Sequence, residues 1–195
     1  MKHFYKGVPG WAAFGGLYVD MVKRAPADKP SNFVEIGSWL GRSACLMGVE
    51  IVNSRKHINL TCVDPWVDGG PDLRETKYFK ELHGKPYDLF LRNINPVAQV
   101  IKAMKMPSLE AARFVPDKSV DFIMIDGDHS YEAVRDDIAA WLPKMKPGSI
   151  MSGDDFMWPG VKQAVEEVFP GRASVVHIKK SENYLNSASY WTVQL

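Results

Sequence analysis

Four side chains in this 195-residue chain could share proton and cation chemistry: Asp126, His129, Asp154 and Asp155. Each group follows an apolar run. Val120-Asp121-Phe122-Ile123-Met124-Ile125 leads into Asp126-Gly127-Asp128-His129, and Ser149-Ile150-Met151-Ser152-Gly153 leads into Asp154-Asp155. Such runs read as buried parallel strands, and ligands of open α/β sheets bind beyond the carboxyl ends of the strands. If the two strands are neighbours, three carboxylates converge and need a cation or a proton to relieve their repulsion. Oxygen-only donors favour magnesium, calcium or manganese over zinc, and magnesium is the expected ion. His129, with an ordinary pKa near ~6.5, can act as a base around neutrality. The plainer readings stay open here: a turn histidine bonded to backbone, a solvated Asp154-Asp155 pair, and an Asp128 that only caps the next helix.

A second group of residues suits a cofactor. Asn32 to Ile36 reads as a strand, and it ends in Glu35-Ile36-Gly37-Ser38-Trp39-Leu40-Gly41-Arg42-Ser43. Glycine in a strand-to-helix turn lets a ligand approach the backbone. The dinucleotide fingerprint needs glycine at its third position, where this chain has Trp39, so NAD is disfavoured. An acidic residue two positions before the first glycine suits a cofactor carrying an ammonium group, and an ordinary turn is the alternative. The next strand, Ile58 to Val63, runs into Asp64-Pro65-Trp66. An acid at that place commonly accepts hydrogen bonds from ribose hydroxyls, although it could equally cap the turn. Ser108 could touch an adenine edge or cap a short helix.

These residues need a scaffold of alternating strands and helices, that is, a parallel sheet covered on both faces. Helices are expected over residues 9–25, 40–53, 131–143 and 159–169. A third strand lies somewhere within residues 97–104. Pro147-Gly148 should turn into the fifth strand. Residues 173–178 and 189–194 are the last strand candidates and could pair as a hairpin. Residues 1–28 form an N-terminal helical segment, and residues 65–85, rich in Gly, Pro and charge, read as a lid or substrate loop. Trp11, Trp66 and Trp158 are candidates to line the acceptor surface.

Composition narrows the class. One domain spanning residues 1–195 fits the length. The formal net charge is +1, from 24 basic and 23 acidic residues. That balance gives no reason to expect nucleic acid or an anionic membrane as partner. No apolar stretch is long enough to span a bilayer and no signal-like segment opens the chain, so a cytoplasmic protein is expected. Cys45 and Cys62 have no metal-ligand spacing and read as buried free thiols.

Taken together, Glu35-x-Gly37-x-x-x-Gly41, Asp64 and Asp126-Gly-Asp-His129-Ser-Tyr131-Glu resemble a class I S-adenosylmethionine-dependent methyltransferase. Within that group the chain is most similar to the macrocin- and mycinamicin-type metal-dependent O-methyltransferases and their short relatives, over roughly residues 30–170. The resemblance implies a Rossmann-like α/β/α sandwich with a mostly parallel seven-stranded sheet and an antiparallel last strand. It implies S-adenosylmethionine bound by Glu35, Gly37, Ser38, Gly41, Ser43, Asp64, Trp66, Ser108 and Asp126. Glu35 and Gly37 would line its methionine end, Asp64 the ribose, and Ser108 the adenine. It implies Mg2+ on Asp126, Asp154 and Asp155, with His129 and Asp126 as the catalytic pair. Phe156 stands where a tyrosine is frequent in the family.

The expected activity is magnesium-dependent O-methylation of a small hydroxylated molecule, a sugar or natural product, with His129 as general base. Two alternatives compete: a metal-independent N-methyltransferase, and a non-catalytic S-adenosylmethionine-binding module. The acceptor is a small molecule, and a homo-oligomer is possible.

Overall fold

Period-two alternation divides each central strand between two cores. The computed structural model describes residues 1–67, 85–178 and 188–195. In β1 (Ser31–Ile36), Phe33 joins one apolar cluster while Val34 and Ile36 join the other. In β4 (Val120–Ile125), Phe122 and Met124 go with Phe33, and Ile123 and Ile125 with Ile36. Strands that are apolar on both faces must lie mid-sheet, covered on both sides.

The sheet has seven strands in the order β3-β2-β1-β4-β5-β7-β6. The others are β2 (Ile58–Asp64), β3 (Ile101–Lys105), β5 (Met145–Asp154), β6 (Ser174–Ile178) and β7 (Ala188–Gln194). Pairings are parallel from β3 through β5. Only β7 is reversed, antiparallel to both β5 and β6. This is the expected sandwich, with the expected β6–β7 pairing. Because β1 leads outward to β2 while β4 leads to β5 on the other side, their carboxyl ends meet at the switch point where such sheets bind ligands.

Helices α1 (Gly15–Arg24), α2 (Arg42–Ser54) and α3 (Pro86–Ile94) cover the Phe33 face. Helices α4 (Ser108–Ala112), α5 (Tyr131–Trp141) and α6 (Pro159–Val168) cover the Ile36 face. Local chemistry sets their ends. The Ser130 hydroxyl accepts from the Ala133 amide at the start of α5. Pro159 opens α6 at its first position, where a missing N–H costs nothing. Lys56 Nζ donates to the carbonyls of Val22, Lys23 and Ala25 at the end of α1.

Several boundaries differ from the sequence reading. The first helix begins at Gly15 instead of residue 9, because Gly10 (φ +125°) carries the chain past the Trp39 ring. Helix α3 was not expected. Pro86 reads as a breaker but occupies the first turn, and Phe90 and Ile94 are buried. The Pro147-Gly148 turn lies inside β5, where the register with β4 shifts between Val120 and Phe122. Cys45 and Cys62 are buried and free, as expected. Residues 68–84 of the anticipated lid lie outside the described residues. Among the described residues no helix is long and apolar enough to cross a membrane.

Candidate active site

The parallel register pairs Ile125 with Gly153, so Asp126 and Asp154 leave adjacent strands side by side. A Cβ on Gly153 would lie 2.6 Å from Trp191 Nε1 and 2.8 Å from the Ile125 carbonyl, so this close approach requires glycine. After it, Asp155 adopts a left-handed φ of 52°, a conformation aspartate tolerates better than most residues. Trp158 N–H donates to the Asp155 carbonyl, and the Phe156 and Met157 amides donate to Ser189. The loop is thereby pinned to the start of β7.

This geometry collects the predicted catalytic residues. His129 Nε2 lies 3.6 Å from Asp126 Oδ1 and 3.3 Å from Asp155 Oδ2. Asp126, His129 and Asp155 each offer a ligand atom within 4.8 Å of the other two. Asp154 is buried beside them, and its Oδ1 has no hydrogen-bond partner among the described residues. Burial, then the charges of Asp126 and Asp155, pushes the Asp154 carboxyl up to about 9. Burial likewise pushes Asp126 up to about 6, against the pull of His129. Burial opposes the charged form of His129, but Asp126, Asp155 and Asp128 outweigh it and raise its pKa. Asp128 accepts from the Ser130 amide, which lowers its pKa, so it serves the turn into α5.

The glycine turn abuts this cluster. The Asp126 amide donates to the Ile36 carbonyl, and a Cβ on Gly37 (φ +83°) would fall 1.9 Å from the Asp126 carbonyl oxygen. Only glycine fits there. Gly41 (φ +84°) opens α2, and a side chain there would press on Phe90 and Ile94 of α3. Glu35 shares the parity of Phe33 and so faces α1, where its Oε2 accepts from the Tyr18 hydroxyl at 2.7 Å. Burial pushes Glu35 up to about 7, while Tyr18, Ser38 and Ser43 draw it down and Asp126 adds to the rise. Glu35 Oε1 and the Ser38 hydroxyl are buried without partners among the described residues.

The other predicted cofactor residues are placed as follows. Asp64 accepts from the Trp39 amide at 2.9 Å and the Trp66 amide at 2.6 Å, joining the two strand-end loops. Each carboxylate oxygen can accept more than one bond, so Asp64 keeps capacity for another donor. Trp66 is buried, with its ring against Tyr87 and Phe90 and its Nε1 donating to the Trp39 carbonyl. It is therefore core, whereas Trp11 (54% exposed) and Trp158 (47% exposed) present surface. The Trp158 ring lies 5.0 Å from the His129 ring. Ser43 is buried in the first turn of α2. Ser108 is the first residue of α4 and not its cap, and its hydroxyl accepts from Trp141 Nε1 at 2.9 Å. Phe156 is buried in the apolar cluster beneath α6. Tyr18 was not foreseen as a site residue, because it sits in the apolar stripe of α1 and only its hydroxyl separates it from a packing residue.

Comparison with known proteins agrees with this architecture. The family described as "Methyltransferase domain" matches residues 34–156. Uncharacterized protein y4gI of Sinorhizobium fredii is 24% identical over 149 residues, covering 76% of this chain. The chain spans only 15% of the length of that relative. Among solved structures, the O-methyltransferase NovP superposes with a TM-score of 0.66 at 19% identity, covering 94% of this chain and 80% of that one. A Bacillus cereus O-methyltransferase in complex with SAH gives 0.63 at 16% identity, with 97% and 86% covered. TomG from Streptomyces achromogenes, in complex with SAM, gives 0.63 at 13% identity, with 96% and 82% covered. At these identities the likeness is one of fold.

Proposed function

The chain belongs to the methyltransferase domain family, and on that premise we propose that it transfers the methyl group of S-adenosylmethionine to a hydroxyl oxygen of a small acceptor, with a divalent cation, preferably Mg2+, bound beside His129. The observation that carries this reading is the convergence of Asp126, His129 and Asp155 at one point, with Asp154 beside them, next to the Gly37 turn.

The residues present fit both groups. For the cofactor, Glu35 Oε1 and the Ser38 hydroxyl at the end of β1 are buried polar groups without hydrogen-bond partners among the described residues. The Asp64 carboxylate retains acceptor capacity for a ribose. For the cation, Asp126, Asp154 and Asp155 supply hard oxygen donors whose raised pKa values reflect crowding in a sheltered place. When bound, the cofactor supplies an electrophilic methyl, and the cation would polarise the acceptor hydroxyl and fix its direction.

The chain's own residues do the rest. His129 takes the acceptor proton at Nε2, which has no hydrogen-bond partner among the described residues. Asp126 and Asp155 stabilise the resulting imidazolium. The pinned loop from Asp155 to Trp158 holds the histidine's neighbours in place, and the half-exposed Trp158 ring gives the acceptor a flat apolar wall. Oxygen is favoured over nitrogen because a neutral amine needs neither a base nor a cation to be nucleophilic, whereas a hydroxyl is a poor nucleophile until a base takes its proton or a cation polarises it. The O-methyltransferase activity named for NovP, TomG and the Bacillus cereus protein is consistent with this reading.

Calorimetry with S-adenosylhomocysteine, with magnesium and with chelator, tests the proposal. Cofactor product should bind in both conditions, and magnesium should bind to a single site. Absence of magnesium binding to wild-type protein would remove the cation and favour an amine acceptor.

A further inference from the structure

Helix α1 and strand β1 follow one another in the chain, and their packing sets Tyr18 against Glu35. Tyr18 is wholly buried on α1, and Glu35 is 1% exposed on β1. The phenol ring is fixed by Phe14 at 5.0 Å and by Phe122, which meets it edge-on at 5.8 Å. Phe122 in turn packs edge-on against Phe33, the residue two before Glu35. With the ring held, the hydroxyl donates to Glu35 Oε2 at 2.7 Å. That bond fixes the plane of the carboxylate and leaves Oε1 without a partner among the described residues, beside the equally unpartnered Ser38 hydroxyl.

With Tyr18 on Oε2 and no partner on Oε1 among the described residues, the buried Glu35 is costly to keep charged, and a cationic donor offsets that cost. Among the described residues, the groups around it supply no cation. They are Tyr18 from α1, Ser38, Ser43 and Cys45 from the turn and α2, Cys62 from β2 and Asp126 after β4. We propose that Tyr18 is a positioning residue for cofactor capture: its hydroxyl orients Glu35 so that Oε1 receives the ammonium of the methionine moiety. This rests on the reading of Glu35 as a cofactor residue and extends it to the N-terminal helix. Oε1 is sealed from solvent, so the ammonium reaches it only as neighbouring side chains give way. The Tyr18 bond keeps the carboxylate oriented through that exchange.

The test compares two probes: S-adenosylhomocysteine and its deamino analogue, S-adenosyl-4-thiobutyrate, which lacks only the ammonium. Tyr18→Phe keeps the ring between Phe14 and Phe122 and removes the donor. It should weaken S-adenosylhomocysteine about tenfold, the scale of a hydrogen bond to a charged group, and leave the analogue within about twofold of wild type. Equal weakening of both ligands, or of neither, overturns the proposal. Glu35→Gln separates this failure from that of the underlying reading. If Glu35→Gln leaves S-adenosylhomocysteine affinity intact, Glu35 is not a cofactor residue at all. If it weakens that ligand alone while Tyr18→Phe does not, only the role of Tyr18 falls. An NMR measurement needs no variant: the hydroxyl proton of buried Tyr18 should shift on adding S-adenosylhomocysteine and not on adding the analogue. An identical response to both ligands counts against the proposal.

Discussion

His129 Nε2 lies 3.3 Å from Asp155 Oδ2, yet the two share no hydrogen bond. Attraction therefore comes from charge more than from directed bonding, and it depends on what else occupies the cluster. In metal-free protein the His129 imidazole should titrate above the ordinary histidine value, since the neighbouring aspartates outweigh its burial. Magnesium bound to those carboxylates, as proposed, should move the titration down. An NMR titration of the ring with and without magnesium checks both directions. A midpoint unmoved by saturating magnesium would place the ion elsewhere.

Substitution of Asp154 distinguishes the proposed cation from the cofactor. It is buried against Asp126 and Asp155, on the far side of Asp126 from the Gly37 turn. Asp154→Asn should reduce magnesium-stimulated turnover by about 100-fold, an effect on the scale of losing a charge-stabilising group, while S-adenosylhomocysteine affinity stays within about threefold. Equal losses in both would argue that Asp154 supports the fold of the pocket and not a cation.

Burial, with crowding added in the acidic cluster, sets how stability depends on pH. Glu35, Asp64, Asp126, Asp137, Asp154 and Asp155 all have folded pKa values above their ordinary ones, and among the described carboxyl groups only Asp128 is clearly lowered. A raised pKa means the native state binds more protons than the unfolded chain, so stability falls as pH rises. The window runs from the ordinary carboxyl value of 3.8 to about 9, where Asp154 titrates. In chelator, Tm should fall across this range, Asp154→Asn should flatten the upper part of the fall, and the Tm gain from magnesium should grow with pH. Thermal scans at several pH values decide it. A Tm that rises steadily to pH 9 in chelator would contradict the burial of these carboxylates.

Ser108 is expected to behave as a structural residue. Its hydroxyl accepts from Trp141 Nε1, and Trp141 is wholly buried. Ser108→Ala leaves that indole N–H unpaired, so it should cost about 1–3 kcal/mol of stability. S-adenosylhomocysteine affinity should change by less than about threefold, because the group removed faces α5. Denaturant unfolding and calorimetry on the same preparation compare the two effects. A large affinity loss with unchanged stability would restore an adenine contact.

Much of the architecture was legible in the chain because it rests on short-range rules. Continuous apolar runs bounded by turn residues located β1, β2, β4 and β5, and the alternation of strand and helix implied a parallel sheet. Acids placed directly after strands pointed to the ligand-binding edge. Glu35, Gly37, Asp126 and Asp155 could be picked out this way, since a strand end tells where its last side chain stands. Helix α3 escaped the sequence reading because only Pro86, Phe90 and Ile94 of its nine residues are buried, too few for a clear apolar period.

The sequence alone therefore determined the fold class and which carboxylates stand at the strand ends, because alternation and turn chemistry are local. Only the tertiary structure decided their partners. The β4–β5 register set Asp126 beside Asp154, the loop pinned by Ser189 brought Asp155 to His129, and α1 carried Tyr18 onto Glu35. The Ser108 hydroxyl and the Trp66 ring were turned into packing for the same reason. Each of these pairings joins residues far apart in the chain, and long-range contact is fixed by how the whole set of apolar faces packs, which no short stretch encodes.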